Sequence, residues 1–74
     1  RMVRQMQEQL AVISRSYPAI PTIAADGIFG ERTREAVEAF QRVFDLPVTG
    51  VVDFATWYKI SQIYVGVSRI AELV

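Results

Sequence analysis

Between Asp26 and Phe44 a tight turn runs straight into an amphipathic helix, and this stretch restricts the fold more than any other part of the chain. Thr33, Ala36, Val37, Phe40, Val43 and Phe44 recur at the three- and four-residue spacing of one helical face. Glu31, Arg32, Arg34, Glu35, Glu38, Gln41 and Arg42 fall on the other face. Arg34 with Glu38, and Glu38 with Arg42, have the i,i+4 relation that adds a few tenths of a kcal/mol on a wet surface. So short a helix is marginal alone and needs apolar partners. The flanking segments are built to supply them.

Residues 2 to 15 carry Val3, Met6, Leu10 and Ile13, with Tyr17 continuing the period, while Arg4, Gln5, Gln7, Glu8 and Gln9 lie off that stripe. This predicts a first helix, ended by Pro18 because the residue before a proline is pushed out of the α region. Pro18 and Pro21 favour an extended, polyproline-like path, with Ile20 and Ile23 available to cap the core or to form one wall of a groove. Phe54, Trp57, Ile60, Tyr64 and Val67 mark a third helix that opens on Asp53 as N-cap, with Val52 placed to pack on Trp57. Gly66, Ile70, Ala71 and Val74 leave residues 66–74 open: a helix extension, a short extra turn or a linker. No segment alternates with period two over a strand's length. The expected fold is all-α, a small three-helix bundle with the second helix at its centre.

Asp26-Gly27 is a turn signal, because aspartate bonds its own backbone two residues on and glycine accepts positive φ. Gly30 serves as N-cap of the second helix, and Phe29 is expected to turn inward as an anchor. After the helix, Pro47 and Gly50 break the pattern, with Leu46 and Val48 expected to plug the core. Ala25-Asp26-Gly27 is faintly echoed by Val52-Asp53-Phe54: in each case an aspartate near a helix start precedes a threonine, Thr33 or Thr56.

Composition bounds the chemistry. Seventy-four residues make one domain near the lower limit for a single core. Eight basic residues balance eight acidic ones, which argues against nucleic acid as partner, since phosphate binding needs a basic surplus. No apolar run is long enough for a membrane span. The chain has neither cysteine nor histidine, which removes thiolate chemistry and the commonest catalytic base and metal ligand. The glutamates read as a solvated helix face and the aspartates as turn and cap, so no nucleophile–base pair is present and the domain is not expected to be an enzyme. No cofactor is implied. Because it starts inside a helix, the chain is expected to be a domain, residues 1–74, cut from a longer protein.

Asp26, Gly27, Phe29, Gly30, Thr33, Ala36, Val37, Phe40, Gln41, Leu46, Thr49, Gly50, Asp53, Thr56 and Trp57 together spell D-G-x-F-G-x-x-T, A-V, F-Q, L-x-x-T-G and D-x-x-T-W in order. This pattern resembles the peptidoglycan-binding domain of the type 1 family, over residues 1 to about 64. The loop from Tyr17 and the tail from Tyr58 are most similar to members from spore-forming Firmicutes. The resemblance implies a three-helix module that binds bacterial cell-wall peptidoglycan without catalysis and anchors an attached hydrolase or surface protein, extracellularly or in the cell envelope, in some members as tandem copies. The alternative is a helical protein–protein docking module, which an outward cluster of Tyr58, Tyr64 and Val65 would favour, as a polar groove near Asp26 would favour wall binding.

Peptidoglycan offers amides, hydroxyls and free carboxylates. The turn at Asp26, Gly27, Ile28 and Gly30 opens onto the second helix's N-terminus, whose N–H groups and partial positive charge suit a carboxylate. Arg32 or Arg34 reinforces it with a bidentate contact. Tyr17 and Ile28 form the wall of the expected groove, between the loop 18–23 and the turn 26–30.

Overall fold

The computed structural model describes residues 2–73, with side chains described from Val3 to Arg69. Three helices follow one another: α1 Met2–Ser16, α2 Glu31–Val43 and α3 Phe54–Leu73. Gly66 does not interrupt α3, which runs on to Leu73; the side chains of Ile70 and Ala71, and all of Val74, lie outside the described residues.

The core is made by Met6, Leu10 and Ile13 of α1, Ala36, Val37 and Phe40 of α2, Ile60 of α3, and Ile20 and Ile23 from the first connection. Each fully buried Leu, Ile or Phe stabilises by about 1.5–3 kcal/mol. Tyr17, Phe44, Leu46, Val52, Trp57, Ile63 and Tyr64 pack around this centre. The helices that lie closest together are α1 and α3. α2 is central through its side chains rather than its backbone: it sends Phe40 into the middle and rests Phe44 against Phe40 and Tyr17.

Several expected placements are corrected. The Tyr17-to-Ile23 loop does not start as an extended path: the Ile20 N–H donates to the Tyr17 carbonyl at 2.9 Å, a β-turn with Pro18 at its second position. Its second half is held by the Ser14 and Thr22 hydroxyls, 3.1 Å apart. Val43 and Val48 are exposed because the core ends short of both. Phe54 is 83% exposed at the first residue of α3, outside the core that takes in Ile60.

α2 stops by a local device. Asp45 has φ +59, its N–H donates to the Arg42 carbonyl, and the Leu46 N–H donates to the Gln41 carbonyl at 2.7 Å. This is the Schellman arrangement with aspartate where glycine is usual, and Pro47 follows where the helix can no longer continue.

The largest correction concerns Gln41. Its position suggested the wet face, but it is fully buried. Its Oε1 accepts the N–H groups of Thr49 and Gly50, and its Nε2 donates to Thr49 Oγ1, the Val51 carbonyl and Thr56 Oγ1. One amide thereby fixes the whole α2–α3 connection. Replacing it with an apolar side chain of similar size would leave two backbone donors without an acceptor, at about 1–3 kcal/mol for each one buried. Gln41→Leu is therefore expected to lower unfolding stability in urea by about 2–4 kcal/mol, a large share of the total for so small a domain.

Candidate functional site

The turn before α2 is held in the same way, by a glutamine of α1. Gln7 was placed off the apolar stripe, yet it is fully buried. Its Oε1 accepts the Gly27 N–H at 2.8 Å. Its Nε2 donates to Asp26 Oδ1, the Ile28 carbonyl and Thr33 Oγ1 at 2.9–3.1 Å. The partners of Gln41 are position-for-position equivalents: Gly50 for Gly27, Thr49 for Asp26, Val51 for Ile28 and Thr56 for Thr33. Asp26 accepts the N–H of Ile28, as Thr49 Oγ1 accepts that of Val51. Gly27 and Gly50 both have positive φ, +79 and +73. The molecule thus contains one corner built twice. The echo in the sequence is real but its register is different: Asp53 corresponds to Gly30, the N-cap, and not to Asp26.

Those two caps differ in the group they offer. At α3, Asp53 Oδ1 accepts the Thr56 N–H at 2.9 Å. At α2, Gly30 has no side chain to do this. The turn itself offers fewer free donors than expected, because the N–H groups of Gly27, Ile28 and Gly30 are bonded to Gln7 Oε1, Asp26 Oδ1 and the Ile28 carbonyl. The donors that face solvent are those of the first α2 turn, which an uncapped helix leaves without a partner.

The expected site residues divide into three places. Asp26, Ile28, Gly30 and Arg32 line one shallow depression with Glu31, Thr33 and Glu35, and Gly27 forms the floor of its turn. Arg34 lines a second, polar groove on the other side of α2's first turns, with Phe29, Gly30, Glu31, Glu38 and Thr49–Val51. There the Arg34–Glu38 pair, 3.4 Å apart, lies flat over Gly50, whose absent Cβ would stand 2.9 Å from Arg34 Nε. Tyr17 joins neither. Its ring packs edge-on to Phe44 at 5.0 Å, and it lies ten residues along the chain from the Gln7 clamp, about 15 Å of helical rise. Tyr17 is therefore not brought to the turn as the wall of the expected groove.

Phe29 is 41% exposed and stands between surfaces instead of anchoring the core. The backbone on either side of it is held, Ile28 by Gln7 and Asp26 and Gly30 by the Ile28 carbonyl, and its side chain is directed outward. It borders the polar groove on one side and, on the other, an apolar groove of about 330 Å³ with Val3, Met6, Val52, Phe54 and Trp57. The signal that sequence reasoning missed was the pair of glutamines and the shared spacing of Gly27 to Thr33 and Gly50 to Thr56.

A family model described as "Putative peptidoglycan binding domain" matches residues 1–60. The chain belongs to this peptidoglycan-binding family. Its three-helix fold is the one observed, and its ligand associates the domain with the bacterial cell wall. Comparison with curated proteins found no match, and neither did comparison with solved structures. What is detected in the chain is a non-catalytic binding domain. Among the described residues, no helix is long and apolar enough to cross a membrane.

The peptidoglycan-binding domain has two carboxylates with an acid signature. The backbone N–H of Ile28, then Gln7, holds the Asp26 carboxyl below the ordinary value of 3.8. The backbone N–H of Thr56, then its hydroxyl, does the same for Asp53. In the unfolded chain each aspartate takes its proton near 3.8, and in the folded domain only at lower pH. Between those values the unfolded chain holds more protons, so stability rises with pH there. The contribution is complete above about pH 5 and is lost as the pH falls through the lowered values. Urea unfolding midpoints are expected to be flat from neutral pH to about 5 and to fall below about 4. Asp26→Asn, which retains an acceptor for Ile28, should make that fall shallower.

Proposed function

We propose that this domain anchors an attached cell-wall hydrolase or surface protein to peptidoglycan, in the cell envelope or outside the cell, by taking a stem-peptide carboxylate at the N-terminus of α2. The observation that carries this reading is the uncapped start of that helix, set between two loops that buried glutamines hold rigid. A carboxylate seated there would accept the first-turn N–H groups that Asp53 satisfies at α3, in the favourable field of the helix dipole. Arg32 and Arg34 stand on either side of it, in the two depressions that meet at Gly30 and Glu31. Glu31 and Glu35 line both depressions, and they suit the free amino group of a diamino acid in the same peptide. A shallow site of this kind binds weakly, and tandem copies in one protein would gain by avidity.

Protein docking is favoured by one feature, the exposure of Tyr58 and Val65 on α3. Gln62 lies exposed between them, so the stripe lacks the continuous i, i+4, i+7 anchors that a groove-binding helix presents. The wall reading agrees with more of the surface.

Gly30→Asp tests the proposal with two readouts of opposite sign. Gly30 has φ −104, which any residue adopts, and an added Cβ would meet nothing within 4 Å. The new carboxylate would cap α2 as Asp53 caps α3. It should leave stability unchanged or raise it by a few tenths of a kcal/mol. It should also occupy the donors the ligand needs and weaken co-sedimentation with purified sacculi by about tenfold. Undiminished retention of a folded Gly30→Asp protein would place the ligand elsewhere.

A further inference from the structure

The apolar groove on the far side of Phe29 is not used by a carboxylate site, and its rim carries Phe54, a large side chain that the core does not use. Phe54 and Tyr58 are 83% and 57% exposed. Their rings are nearly parallel, 17° apart, and stacked with centroids separated by 6.4 Å, so they form one exposed aromatic pair on the surface of α3. Beside Phe54, Val3, Met6, Val52 and Trp57 line the groove. Among the described residues that line the groove, Asp53 is the single charged one. One of its oxygens is occupied by the Thr56 N–H, and an ionised carboxylate has lone pairs to spare for further donors.

This combination selects a ligand by charge. A carboxylate would meet Asp53 and, among the described lining residues, no cation. An apolar partner, whether a protein helix or a second copy of the chain, would have to strip water from Asp53 without replacing its hydrogen bonds, which is unfavourable. A neutral sugar chain suits both parts. Each pyranose ring turns a face of C–H groups towards an aromatic ring, whose face carries the negative end of the quadrupole, and its hydroxyls donate to the carboxylate. We infer that the groove and the aromatic pair at its rim form a glycan subsite, in which Phe54 and Tyr58 contact N-acetylhexosamine rings of the peptidoglycan strand and Asp53 accepts from a sugar hydroxyl. This rests on the peptidoglycan reading and extends it. Phe29 borders both surfaces, so a glycan in the apolar groove lies next to the site proposed for its own stem peptide.

Trp57 is the chain's single tryptophan and lines the groove, so its fluorescence reports on occupancy. Titration of the domain with chitotetraose should give a saturable change in Trp57 emission. Phe54→Ala and Tyr58→Ala should each weaken it by about fivefold or more, with urea midpoints unmoved because both side chains are exposed. Sacculus co-sedimentation is measured alongside. If sacculi are bound while chitotetraose leaves Trp57 unchanged, or if Phe54→Ala binds chitotetraose as well as the parent, the glycan subsite is wrong and the wall reading stands. If neither sacculi nor chitotetraose is bound, both fall together. A Phe54-dependent dimer in sedimentation equilibrium, with chitotetraose silent, would assign the face to self-association and overturn the subsite.

Discussion

Everything in this domain depends on two primary amides removed from water. A buried amide without partners is strongly unfavourable, but Gln7 and Gln41 each accept at one atom and donate at the other to loop groups that would themselves be unsatisfied. Loop and glutamine therefore stabilise one another. The helices alone present few close approaches, with α1 and α3 the nearest pair. It is the clamped connections that fix where α2 starts and how α3 leaves it. Truncating Phe40 would cost about 3–5 kcal/mol through a cavity; removing one of these amides would disturb an entire connection, and with it the surface proposed to meet the wall.

Much of this was legible in the sequence and some was not, for identifiable reasons. Apolar periodicity located the three helices and most of the core, since Met6, Leu10, Ile13, Ala36, Val37, Phe40 and Ile60 are buried where the period placed them. Turn chemistry located Gly27, Gly50 and the Asp53 cap. Binary patterning assigned Gln7 and Gln41 to solvent because it grades residues by polarity, and a glutamine satisfied in the interior violates that grading without any sign in its own letter. Phe29 and Phe54 failed in the opposite sense: aromatic residues were assigned to the core, though both sit where backbone constraints or the end of a helix leave nothing to cover them.

The expected binding residues show the same division. Asp26, Gly27, Ile28, Gly30 and Arg32 are neighbours in the chain, so their proximity was certain from the turn. Arg34 faces the other side of α2, and Tyr17 packs on Phe44. Grouping residues by distance along the chain ignored the direction in which α1 runs away from the turn. The carboxylate of Asp26, attractive as a ligand group, is engaged by Ile28 and Gln7. The features now proposed for binding are the uncapped helix start, Arg32 beside it, Arg34 in its pair with Glu38, and the exposed aromatic pair of α3.

The two corners are alike in geometry and unlike in the chain they must close. Gln41 reaches partners 8–15 residues away, whereas Gln7 reaches partners 19–26 residues away. Each doubling of loop length adds about 0.6 kcal/mol of closure entropy. The α2–α3 corner is thus the more local contact and is expected to form early, with the Asp26–Gly30 turn docking onto it through α1 afterwards. Run in reverse, the same order makes the turn beside the proposed carboxylate site the first to open in the folded state, a difference that amide exchange at Gly27 and Gly50 reads directly. A ligand bound there would then do more than occupy a surface: it would tighten the least cooperative seam of the domain it holds to the wall.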